Sequence, residues 1–185
     1  MKKKSLAAVL ALVLVLACAV GGSVAWLHLN TGPVQNTFTY GNVGAELKET
    51  TGEEYIITPG ADITKDPKIT VSTPAGYDPV DVYAFIKVVK AGGWVDGKVS
   101  YQMADGWTEL EGVDNVYWRE VAADAAVKSF SVLKDDKITV SSQLNIHEIE
   151  TAAAKGQPTL TITGYVAQKA GMASAADAWT KAGFM

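Results

Sequence analysis

Residues 80–89 read VDVYAFIKVV, and their pattern decides the fold class. In an extended chain Val82, Ala84, Ile86 and Val88 fall on one face, and Tyr83 and Phe85 on the other. Apolar residues on both faces predict a central strand covered from two sides, since a strand with one wet face alternates apolar and polar. Gly92-Gly93 closes the strand.

Shorter strand patterns lie on either side. Upstream, Ile69 and Val71 alternate with Lys68, Thr70 and Ser72, and PAGYDP (74–79) forms the loop between the two strands. Earlier still, Val43, Ala45 and Leu47 alternate with Gly44, Glu46 and Lys48, and Tyr55-Ile56-Ile57 reads as a short strand stopped by Pro59-Gly60. Thr37-Phe38-Thr39-Tyr40 is another β-rich run, ending at Gly41-Asn42.

Downstream, the stretch from Trp94 to Glu120 is rich in aromatics and turns. Its Asp96-Gly97 and Asp105-Gly106 pairs predict hairpins. Val127, Phe130 and Val132 suggest a strand, Asp135-Asp136 a turn, and Ile138 with Val140 a further strand. Asn145 to Lys155 predicts a short helix closed by Gly156. Leu160, Ile162 and Val166 mark a late strand. Ser174 with Asp177 resembles a capping box opening a second short helix. The expectation is an all-β domain, a single β-sandwich of roughly nine strands with one or two short helices.

The chain has 185 residues, 48% of them hydrophobic and 19% charged, enough for one sizeable core. Met1–Lys4 is basic, Ser5–Val20 is apolar, and Gly21-Gly22 precede Ser23-Val24-Ala25. Small residues at Ser23 and Ala25 fit a signal-peptidase site, so cleavage is expected between Ala25 and Trp26. An uncleaved anchor is disfavoured because the apolar run falls short of the ~20 residues that span a bilayer. Lipidation at Cys18 is disfavoured because Leu16 stands where a lipobox prefers a small residue.

Loss of Lys2, Lys3 and Lys4 takes the formal charge from −4 to −7. An acidic domain without a basic cluster does not attract phosphate backbones, so nucleic acid is not an expected partner. Cys18 is the only cysteine, so the processed domain holds no disulfide and no thiolate site.

Catalytic patterns are sparse. His147–Thr151 reads HEIET, which begins like the zinc motif H-E-x-x-H but has Thr151 where the second ligand belongs. No cofactor, metal centre or catalytic residue is assigned. Asp62, Asp66, Asp78 and Asp81 lack the spacing of a calcium loop. Trp94, Tyr101, Trp107, Tyr117 and Trp118 read as core-filling rings, with glycan stacking as the competing reading.

The segments GGSVAW (21–26), NTFTYGNVGAELKE (36–49), PGADITKDPKITV (59–71), VYAFIKV (82–88) and LTITGYVAQK (160–169) together resemble one family. It is the TasA/CalY (camelysin-like) group of SipW-dependent secreted surface and biofilm matrix proteins of Firmicutes. The resemblance implies a jelly-roll-like sandwich, processing by a SipW-like signal peptidase and no stable membrane anchor afterwards. It also implies secretion to the extracellular matrix or cell surface of a Gram-positive bacterium.

Family fibres assemble by donor-strand exchange into homo-oligomers, with or without an accessory subunit. Carried over, the division is 1–25 signal peptide, 26–40 donor-strand arm and 41–185 sandwich domain. Trp26, Leu27, Leu29, Val34 and Phe38 would be the donor side chains. The alternatives are a monomeric binding module that uses Trp94, Trp107 and Trp118 for a glycan or host ligand, and a metallopeptidase. The missing second histidine counts against the metallopeptidase, and no enzyme activity is expected.

Overall fold

The computed structural model describes residues 43–51 and 55–184, which belong to one compact unit. The leader, the cleavage residues Ser23, Ala25 and Trp26, and the donor-arm residues Leu27, Leu29, Val34 and Phe38 lie outside the described residues. So does the predicted strand at Thr37–Tyr40.

The fold is all-β with two short helices. In chain order the strands are β1 (Gly44–Lys48), β2 (Asp62–Thr64), β3 (Lys68–Ser72), β4 (Val82–Ala91) and β5 (Val99–Met103). They continue with β6 (Thr108–Glu109), β7 (Val116–Val121), β8 (Ser129–Ser131), β9 (Leu133–Val140) and β10 (Thr159–Gln168). Helix α1 (Ile146–Ala153) lies between β9 and β10, and α2 (Ala175–Lys181) follows β10. The strands form three antiparallel sheets in the orders β1-β3-β8, β10-β4-β7-β6 and β2-β9-β5.

Strand β4 occupies the place its sequence predicts. It lies inside the four-stranded sheet, with Val82 through Ile86 all buried. Ile86 and Val88 join Ile69 of β3 and Leu133, Ile138 and Val140 of β9 in one core where all three sheets meet. Val82 and Ala84 extend that face toward Val71 and Val121. Tyr83 and Phe85 face the other way, under α2, where Phe85 meets the rings of Trp179 and Phe184 edge-on at 5.3 and 5.9 Å. Burying each such side chain contributes about 1.5–3 kcal/mol, which makes this doubly covered strand the main anchor of the fold.

The helices are fixed by their ends. Asn145 caps α1 through a reciprocal box with Glu148. Ser174 accepts from the Asp177 N–H at the start of α2, while the Asp177 carboxylate accepts from Ala173 N–H, one residue outside a strict capping box.

Several local expectations fail for identifiable reasons. Tyr55-Ile56-Ile57 is irregular, and Ile56 is 86% exposed, because among the described residues no strand pairs with Ile56 or Ile57. Asp105-Gly106 makes a turn with Gly106 at φ +88°, but β5 leaves it for one sheet and β6 for another, so no hairpin forms. Asp96-Gly97 likewise precedes β5 without pairing β4 to it. The hairpin instead spans Glu111-Gly112, joining β6 to β7.

Asp135 and Asp136 do not end a strand. They stand inside β9 at φ +54° and +51° and form a bulge, where the register against β5 jumps from Tyr101↔Ile138 to Met103↔Leu133. Aspartate tolerates that left-handed backbone better than most residues. Strand β2 had no sequence signal of its own. It is three residues long and held by pairing with β9.

Candidate functional site

The site is built at one side of the molecule, where β1 and β10 are both terminal strands. Among the described residues β1 pairs only with β3, and β10 only with β4. Each is therefore the last strand of its sheet among the described residues. The ten residues of β10, TLTITGYVAQ, include no charged residue and no proline, the features that commonly protect an exposed edge.

Register fixes which side chains look inward. Ile162 stands opposite Val88, Gly164 opposite Ile86 and Val166 opposite Ala84, so these β10 residues share the core face of β4. Leu47 of β1 pairs with the fully buried Ile69. At Gly164 the two sheets close tightly. A Cβ there would lie 2.9 Å from Ile69 Cδ1 and 3.7 Å from Leu47 Cβ. Beyond this point they part. Leu47, Leu160 and Ile162 are only half-buried although they lie on the core face, and they line a cleft of about 440 Å³ with Pro67 and Lys65.

Leu160 and Lys65 also border a second, larger cleft of about 760 Å³. Its walls are mainly Ile57, Ile63, Trp94, Leu144 and Ile149. Leu160 and Lys65 thus stand in the walls of both clefts, a trough beside β10 that mixes apolar side chains with Lys48, Glu49 and Thr50.

The rim is polar and tightly tied. Lys65 is 7% exposed, and its ammonium donates to both Glu49 carboxylate oxygens at 2.7 and 2.8 Å. The Tyr55 hydroxyl also donates to Glu49, and its ring lies 4.9 Å from Lys65 Nζ. Asp66 accepts from the Thr50 hydroxyl and from the N–H groups of Thr50 and Thr51. Those bonds, the Thr50 hydroxyl first, hold the Asp66 carboxyl at about 2, below its ordinary 3.8. The Lys65–Glu49 and Asp66–Thr50/Thr51 pairs span 15 or 16 residues of sequence, so only folding brings them together.

The remaining aromatic candidates divide between the two faces of the four-stranded sheet. Trp94 borders the larger cleft and meets Tyr101 edge-on at 6.5 Å. Trp107 packs near β8 and donates its indole N–H to Ser131 O at 2.9 Å. Trp118 lies on the α2 side of the sheet, against Tyr83. Trp118 thus lies on the opposite face of the sheet from Trp94 and Trp107, which both pack against the cluster of Ile86 and Val88, and of the three only Trp94 borders the trough.

His147 and Thr151 are both exposed on α1. Asp62 pairs with Lys137, Asp66 holds Thr50, Asp81 accepts from Ala123 N–H and Asp78 is exposed, so the four aspartates do not converge. Among the described residues no group of acidic or histidine side chains is gathered as a metal site, and no helix is long and apolar enough to cross a membrane.

No protein-family model, no curated protein and no solved structure matches this chain. The trough has to be read from its own chemistry. A partly apolar trough beside two strands that end their sheets among the described residues has the chemistry to take an extended peptide with alternate side chains in the cleft.

Proposed function

We propose that this chain is a secreted, non-enzymatic structural subunit of extracellular surface or biofilm matrix fibres, with a jelly-roll-like sandwich as its body. A SipW-like signal peptidase frees Trp26, and the arm 26–40 enters the trough of the next subunit, with or without an accessory subunit at the fibre end. The observation that carries this reading is the half-buried row Leu47, Leu160 and Ile162, which lies on the core face of two terminal strands and lines a cleft.

The arm has the matching composition, with Trp26, Leu27, Leu29, Val34 and Phe38 as apolar residues. Because arm and trough occupy different parts of one chain, the contact is head-to-tail. A contact of that kind that does not close on itself makes a filament. Cleavage matters because an arm still joined to an apolar leader cannot thread into a neighbour.

Electron microscopy of protein beginning at Trp26, beside protein with a blocked N-terminal extension, tests the arm. Filaments are expected only with the free end. Ile162→Glu tests the trough. It should leave a folded monomer and abolish filaments, because fibre formation would bury a carboxylate without a partner. Filaments that persist after deletion of 26–39, or in folded Ile162→Glu protein, would refute the reading.

A second reading, a monomeric binding module, draws on the larger cleft, whose volume is that of a small-ligand site and which holds Trp94. On that reading Trp94→Ala removes ligand binding and leaves the domain folded, whereas Trp107→Ala and Trp118→Ala do not touch binding.

A further inference from the structure

The chain has fifteen lysines and one arginine, Arg119 on β7. Seven lysines form ion pairs with carboxylates, whereas Arg119 has none among the described residues. The protein is acidic and does not lack carboxylates.

Arg119 stands opposite Ala84, so it projects from the core face of the sheet. Its guanidinium carbon lies 3.9 Å from the Phe130 ring centre and 5.2 Å from that of Trp107. Trp107 is itself fixed by its bond to Ser131 O. Gly106 is what admits the group. A Cβ there would lie 2.6 Å from an Arg119 terminal nitrogen, and the glycine φ of +88° suits no larger residue. The guanidinium is thus held in a fixed place by two rings and a bare backbone. Its Nε is buried and has no acceptor among the described residues.

Burial without a compensating anion pulls the Arg119 pKa below 12.5, in keeping with a cation that is desolvated and unpaired. A lysine could have supplied charge and a covering stem here. What arginine adds is a planar fork of N–H donors that matches a carboxylate, already ordered by ring contacts, so less entropy is lost when it binds.

We propose that Arg119, positioned by Trp107, Phe130 and Gly106, is a binding site for a carboxylate. The source is either a free organic acid or an Asp or Glu side chain of a second copy of this chain. This site involves different strands from the β1/β10 trough and does not depend on fibre assembly.

A single arginine gives a single side-chain Nε–Hε resonance in protein carrying isotope-labelled arginine, which makes the test direct. Dilute protein is titrated with sodium succinate against sodium chloride at equal ionic strength. Separately, the protein is concentrated without additive. A saturable shift with a millimolar midpoint in succinate and none in chloride supports a free-acid ligand. A shift that follows protein concentration alone supports the second-copy carboxylate.

No shift in either series, or equal shifts in succinate and chloride, overturns the proposal. Arg119→Lys supplies a second readout. Succinate should raise the wild-type unfolding temperature relative to chloride, and that increment should vanish in the lysine variant even where the variant is less stable at the outset.

Discussion

Gly93 offers a severe steric test of how α1 is seated on the end of β4. A Cβ at this position would lie 2.2 Å from the Ala152 carbonyl oxygen, and 2.7 Å from both the Ala152 carbonyl carbon and Gly156 O. All three are backbone atoms, so no rotamer change relieves the clash. Restoring ordinary contact requires the end of α1 to retreat by about 1 Å.

The Gly93 N–H also donates to Gly156 O at 2.9 Å, and that bond stretches or breaks in the same movement. Overpacking of this kind costs about 1–3 kcal/mol, and loss of the hydrogen bond adds about 1 kcal/mol, so Gly93→Ala should destabilise by about 3 kcal/mol. Gly97→Ala is the internal control. Nothing lies within 4 Å of its Cβ, and its φ of +77° adds only the left-handed penalty of about 1–2 kcal/mol.

Gly164→Ala should fall nearer the control than Gly93→Ala does, since its closest contact is the flexible end of Ile69. Urea unfolding followed by tryptophan fluorescence measures all three on one scale. If Gly93→Ala costs no more than Gly97→Ala, α1 is not seated against Gly93 and the described wall of the larger cleft is wrong.

Phe85→Ala removes a fully buried ring that meets Trp179 and Phe184, and should cost about 3–5 kcal/mol, with loss of the near-ultraviolet signal of Trp179. Asp66 has a folded pKa of about 2, below its ordinary 3.8. Its contribution to stability is therefore complete above 3.8 and lost as the pH falls toward 2. Asp66→Asn should flatten the pH dependence of unfolding in that interval alone, and an unchanged acid limb would count against the Thr50–Asp66 tie.

Burial, with Tyr117 and Asp96 nearby, pushes the Tyr101 phenol up to about 12 from its ordinary 10. Its neutral form is thus favoured by folding, and stability should decline as the pH rises from 10 through 12. Spectrophotometric titration should lose its last tyrosine step in Tyr101→Phe.

Much of the architecture is set by local pattern. The two-sided apolar run at Val82–Val88 determines a doubly covered strand, the alternation at Ile69 and Val71 a half-buried one, and Asn145 and Ser174 start helices because their side chains satisfy free N–H groups beside them.

Tertiary structure decided what depends on residues far apart. The Asp-Gly turns are legible, but which sheet the chain enters after each turn depends on strand pairing, so Asp105-Gly106 becomes a passage between sheets and Glu111-Gly112 the hairpin. The Lys65–Glu49 pair, the separation of Trp118 from Trp94 and Trp107, and the place of Arg119 against Trp107 and Phe130 have no local signature. Period-two alternation fixes the face on which a side chain stands, whereas the neighbour across that face is chosen by the packing of whole sheets.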